Sequence, residues 1–176
     1  MGLLRFVSIL FVVMLTACGS CDEMSDAERE AFRRDLIEKA PNDAVSQMGN
    51  QFLAENRLKE GVIETSSGLQ YKVLTQGKGA RPSLDQVVEV AFEGRRVDGV
   101  VFDRSDLDKP AQFPMKRLIK GWQEGLTLMS VGSEWELYVP ADLAYKATSP
   151  SEKIPANSTL IFKIKLLRVL DTQSES

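Results

Sequence analysis

The chain has no histidine at all. That absence removes Ser-His-Asp and Cys-His nucleophiles and the usual histidine-bearing zinc sites. Cysteine is nearly as scarce. Its two copies, Cys18 and Cys21, both lie near the start, so the body of the chain has no catalytic thiol and no core disulfide. Excess charge is also lacking. A net charge of −3 gives no basic field, which argues against nucleic acid as a partner. Aromatics are few, 7%, so where they cluster is informative. No apolar run reaches the length of a bilayer span; the longest, Phe6 to Leu15, is about ten residues. What remains is 176 residues with 43% apolar side chains, enough for one cored domain and an appendage.

The opening segment reads as an address. Arg5 precedes the apolar run, as in a secretory signal. The run ends in "LTAC", Leu15 to Cys18, which resembles the lipobox of bacterial lipoprotein precursors. That resemblance implies a signal peptide over 1–17, an acylated Cys18 and a tether over 18–24. Several acyl chains hold far better than one. Gly19, by resemblance to enteric-type sorting, implies an outer-membrane anchor facing the periplasm. Cys21 would remain as a single thiol beside it.

Residues 25–61 read as a helical extension. Ser25 with Glu28 has capping-box spacing, and Phe32 and Leu36 share a face. Pro41-Asn42-Asp43 breaks the pattern. Val45, Met48 and Phe52 then recur at helical spacing, and Gly61 is a stop.

The period changes at "SSGLQYKVL". Leu69, Tyr71 and Val73 alternate with Gln70 and Lys72. "QVVEVAFEG" reads as a strand closed by Gly94, and Asp98-Gly99 is a hairpin signal before "VVFDRS". "RLIKGWQEGLTLM" is the one good helix here, with Leu118, Trp122, Leu126 and Met129 on one face. Trp135, Leu137 and Val139 alternate. The last strand, "STLIFKIKLLRVL", sets Leu160, Phe162, Ile164 and Leu166 against Lys163 and Lys165. The pattern predicts an antiparallel sheet with one helix against it, an α+β domain. "GKGARPS" has glycines and a lysine but not the spacing of a phosphate loop, and no metal or cofactor site is visible.

Four stretches, "VFDRS", "IKGWQEGL", "GSEWELYVPADLAY" and "IPANSTLIFKIKLL", in this order and spacing, resemble FKBP-type peptidyl-prolyl isomerases. The resemblance covers 68–170 and is greatest to the Mip- and FkpA-like envelope subgroup, leaving 171–176 as a disordered tail. It implies an FKBP-like half-barrel sheet wrapped on one short helix, with an apolar pocket between them and no cofactor. By position, Phe102, Asp103, Trp122 and Tyr145 match the family's catalytic pocket residues. Phe92, Phe113, Leu118, Ile119, Ile154 and Phe162 match its substrate-binding wall. The implied partners are proline-containing unfolded or extended polypeptides. The helical extension implies a homodimer, weak here because the segment is short.

Taken singly, each aromatic is more often plain core, and Asp103 a surface charge. The departures lie around the flap. Lys146 follows Tyr145 where glycine is usual, "KATSPSEKIP" has no glycine, Lys120 replaces a proline, and Phe92 lacks a hydroxyl many members carry. These leave a second reading, a module that holds unfolded chains with little turnover.

Overall fold

The computed structural model describes residues 25, 27, 29–30 and 44–171. The signal peptide, Cys18, Cys21, the tether, Phe32, Leu36 and the tail past 171 lie outside the described residues. Of the first predicted helix, the Ser25 carbonyl accepting the Arg29 N–H at 2.9 Å is on view.

Helix α1 (Ala44–Asn56) is followed by β1 (Val62–Glu64), β2 (Gln70–Thr75), β3 (Val87–Arg96), β4 (Val101–Ser105) and β5 (Ala111–Pro114). Helix α2 (Lys120–Leu128), β6 (Glu134–Val139) and β7 (Leu160–Leu170) complete the chain. One antiparallel sheet runs β1-β2-β6-β7-β3-β4, with β5 also pairing β3. Long β3 takes β5 along its first half, β4 along its second, and β7 along its whole length. Register shifts at Glu89/Val90 and Gly94/Arg95 fit the bending that lets such a sheet curl.

The alternation predicted for β7 holds. Leu160, Phe162, Ile164 and Leu166 are buried, while Lys163 is exposed and Lys165 half-buried. The inward residues of β3, β6 and β7 meet Trp122, Leu126 and Met129 from α2 and its end. Helix α2 lies close because its sheet-facing positions include glycines. A Cβ on Gly121 would fall 2.4 Å from Val139 Cγ1, and one on Gly125 2.6 Å from Leu137 Cδ1.

Several expectations need correction. Gly94 does not close its strand: β3 runs on to Arg96. Strand β5, short and bordered by Pro110 and Pro114, was not anticipated. Helix α2 begins at Lys120, and Leu118 and Ile119 before it are extended. Met48 is exposed, so α1 does not present Val45, Met48 and Phe52 as one buried face. Gln70, expected on a wet face, is 1% exposed.

The last two corrections share a cause. Gln70, Tyr138 and Ile161 form one row across the outer face of β2, β6 and β7, and all three are buried. Helix α1 packs on this row within its own chain. Phe52 meets Tyr138 with ring centroids 5.9 Å apart. Asn56 Nδ2 donates to Gln70 Oε1 at 3.0 Å. The Gln70 amide donates on to the Leu53 carbonyl and to Glu64 Oε2. Gly49 lets the helix approach Thr159, whose Oγ1 would lie 2.4 Å from an added Cβ.

Candidate active site

Between α2 and the curled sheet lies an open depression of about 260 Å³. Its floor is the Trp122 indole, placed by the first turn of α2. Three phenylalanines meet this indole edge-on. Phe92 from β3 stands 5.2 Å away at 86°, Phe162 from β7 5.1 Å at 87°, and Phe113 from β5 5.9 Å at 89°. Phe102 from β4 leans on Phe162 at 5.6 Å and 84°. Edge-to-face contacts of this kind suit the ring quadrupoles and hold each ring's orientation. The result is a rigid slot rather than a loose apolar patch.

Gly94 explains how the Phe102 wall fits. A Cβ there would lie 2.6 Å from the Phe102 ring and 3.0 Å from Phe162. The glycine in mid-strand makes room for the ring across the β3–β4 ladder.

Leu118 and Ile119 line another side. They are held by the short 3-10 turn Met115–Arg117 and by Gln123, whose amide donates to the Leu118 carbonyl at 2.7 Å and the Lys116 carbonyl at 3.3 Å. The Ile119 carbonyl starts α2, accepting from Trp122 and Gln123 at 3.0 Å each. Its own N–H has no acceptor among the described residues, which leaves a backbone donor beside the depression.

The polar groups stand at the rim. Asp103 is exposed, and its Oδ1 accepts the Arg104 N–H at 2.8 Å. Tyr145 is 37% exposed. Burial first, and then the negative charge of Asp103, push its phenol above the ordinary value of 10, so it is a protonated donor at neutral pH. Arg117 lines the same depression and was missed in the sequence. Nothing in "PMKRLI" distinguishes it from a solvated lysine or arginine before a helix.

Of the residues singled out from sequence, Phe92, Phe102, Asp103, Phe113, Leu118, Ile119, Trp122, Tyr145 and Phe162 all border this one depression. Ile154 does not. It is 6% exposed and packed into the hydrophobic core, its N–H on the Ser151 carbonyl at 3.0 Å, so it roots the flap instead of facing the opening.

Size alone does not single out the slot. Another depression of about 250 Å³ lies over the outer side of β3, β4 and β7, bordered by Glu93, Arg104, Glu134, Lys163 and Lys165. Its walls are mostly charged, and Phe92 is the one aromatic that borders it. The slot under α2 is the one that can hold a flat apolar ring and orient polar groups around it.

The family profile described as FKBP-type peptidyl-prolyl cis-trans isomerase matches residues 78–167. The profile of the domain amino-terminal to such isomerases matches residues 17–73. An FKBP-type 22 kDa peptidyl-prolyl cis-trans isomerase of Escherichia coli (strain K12) is 44% identical over 85% of this chain and 73% of its own length. An outer membrane protein MIP of Legionella longbeachae is 39% identical over 87% of this chain and 73% of its own. A protein named FkpA from Neisseria meningitidis serogroup B is 44% identical over 74% of this chain; the match spans 48% of that relative. Among solved structures, a peptidyl-prolyl cis-trans isomerase of Pseudomonas syringae pv. tomato superposes with TM-score 0.70 at 35% identity, covering 75% of this chain and 98% of that one. The aromatic slot, the sheet that builds it and these matches agree: the chain belongs to the FKBP-type peptidyl-prolyl cis-trans isomerase family, among its Mip- and FkpA-like members.

Proposed function

We propose that the protein catalyses cis–trans isomerisation of X–Pro bonds in unfolded or extended polypeptides, assisting exported proteins at the bacterial envelope. The observation that carries this is the Trp122-floored aromatic slot with Asp103 and Tyr145 at one rim.

The amide barrier of about 18–20 kcal/mol comes from C–N resonance lost on twisting. X–Pro bonds populate both isomers and exchange over tens of seconds or longer. No bond is made or broken, so the missing histidine is no obstacle. The site has only to favour the twisted amide over the planar one. The twisted amide carries less charge on its oxygen. A slot walled by Phe92, Phe102, Phe162 and Trp122 therefore disfavours the planar, strongly dipolar form relative to it. The Tyr145 hydroxyl and the Ile119 N–H orient the substrate carbonyls on either side of the ring. Asp103 shapes the field at the twisting bond. An acceleration of 10²–10⁴ needs only about 3–5 kcal/mol.

Location follows from the opening segment. We read Cys18 as the acylated residue of a lipoprotein, anchored in the outer membrane and facing the periplasm; the name of the Legionella relative supports the envelope. We read oligomerisation through 25–61 as weak at most. Phe52 of α1 is already used on Tyr138 of its own chain. Sedimentation showing a tight dimer at micromolar concentration contradicts this.

Refolding of a client limited by proline isomerisation tests the catalytic reading: the slow phase should quicken at substoichiometric protein. A second reading, a holdase of the same fold with little turnover, is favoured by the glycine-free flap, in which Lys146 is forced to φ 54°. On that reading the slow phase is unchanged while aggregation of a proline-free client is suppressed.

A further inference from the structure

Arg96 ends β3 where the hairpin to β4 begins. Its guanidinium forks onto the Asp98 carboxylate: Nε donates to Oδ1 at 3.1 Å and Nη2 to Oδ2. The same Oδ1 accepts the Val100 N–H at 3.2 Å. The Arg96 N–H donates to the Val100 carbonyl, and the Arg96 carbonyl accepts from Gly99, both at 3.0 Å. The turn thus fixes both ends of the side chain. Bidentate pairing of this sort pre-orients a guanidinium.

The nitrogen left over has a distant partner. Nη1 donates to the Lys153 carbonyl at 3.1 Å, across 57 residues of sequence. Lys153 lies in the segment that runs from Tyr145, which borders the slot, to β7. The flap also holds to itself and to its own base. Lys146 N–H donates to the Ala141 carbonyl, Asn157 N–H to the Lys146 carbonyl, and Ser149 Oγ to the Ile154 carbonyl. The hairpin, in turn, leads straight into Phe102 and Asp103. Arg96 therefore joins the hairpin that leads into Phe102 to the segment that leads on from Tyr145.

We propose that Arg96 is a positioning residue that sets how closely the flap stands to β4, and thereby the affinity of the slot for its peptide. It is not among the residues that border the depression. Its effect falls on binding, not on the twist itself. This rests on the slot being the X–Pro site.

The test uses the full chain and a short X-Pro peptide, with NMR line shapes giving the dissociation constant and the bound-state exchange rate separately. Arg96→Met keeps the stem and removes the fork. It should weaken binding about 3- to 10-fold and leave bound exchange within about two-fold. Amide signals of Lys153 and Ile154 should shift, and those of Trp135 to Val139 should stay. Arg96→Lys, which can reach one acceptor but cannot fork, should fall between. Unchanged affinity in Arg96→Met, or affinity, exchange and melting temperature falling together, overturns the proposal. Wild-type exchange in the same samples reports on the slot itself: absent exchange with intact binding removes the catalytic reading and leaves the Arg96 comparison readable.

Discussion

Lys146 shows what one backbone angle asks of one residue. It sits at φ 54° directly after Tyr145, in a region that costs an L-residue about 1 kcal/mol or more. Its place in the sequence, where the family resemblance implies glycine, was legible as a departure; the positive angle was not. Lys146→Gly should leave thermal stability unchanged or raise it by up to about 1 kcal/mol, since relief of strain is partly offset by glycine's greater unfolded freedom. Lys146→Val should cost about 1–2 kcal/mol, because a β-branched side chain fits this angle worst. Loss of stability in Lys146→Gly would show that the lysine side chain, not the angle, is what matters. Tyr145 gives a second residue-scale expectation. The chain has no histidine, and the phenol, held above 10 by burial and by Asp103, does not titrate near neutrality. Turnover should be flat from about pH 6 to 9, and a bell centred near pH 7 would contradict the assignment. Tyr145→Phe, losing one hydrogen bond, should lower turnover by roughly 3- to 10-fold.

At the scale of elements, the slot depends on strands meeting where small residues let them. Gly94→Ala would press a methyl group into the Phe102 and Phe162 rings. We expect a loss of about 1–3 kcal/mol in chemical denaturation, together with weaker peptide binding because the Phe102 wall moves. Full stability and full binding would mean the ring has somewhere else to go. This is also where sequence reading stopped short. A glycine ending an alternating run looks like a strand end, and only the ring across the β3–β4 ladder reveals the reason for it. Strand β5 escaped notice because four residues, preceded by Pro110 and ending in Pro114, carry too little periodicity. The inward residues of β6 and β7, and the hairpin at Asp98-Gly99, were legible because each is a local pattern; at Tyr138 and Ile161 tertiary packing buries the opposite face as well. The slot's members were legible through family resemblance, residue by residue. Arg96, Arg117 and Gln123 were not, since long polar side chains declare their partners only in three dimensions.

At the scale of the whole molecule, α1 and the sheet form one packed unit through the row Gln70, Tyr138 and Ile161, which alternation alone would have left in water. Gln70 read as an outward residue because the helix that covers it comes from a different part of the chain. The same row makes the docking sensitive to alkali. Burial chiefly, then the hydrogen bond to Glu136 and its charge, push the Tyr138 phenol up to about 12. The folded chain thus favours neutral Tyr138. Its contribution is fully present below the ordinary value of 10 and is lost as pH rises from there toward 12. Stability should fall across that window, and Tyr138→Phe should flatten the fall; an identical alkaline slope in the variant would mean other groups set it. The central claim concerns the other side of the sheet, that the aromatic slot twists X–Pro bonds. It is tested most directly by NMR exchange between cis and trans forms of a short X-Pro peptide, with wild type beside Asp103→Ala and Phe102→Ala. The account predicts exchange quickened by the wild type and at least ten-fold slower in both variants, with the fold intact. Exchange no faster than in buffer, or quickened equally by all three proteins, would contradict it.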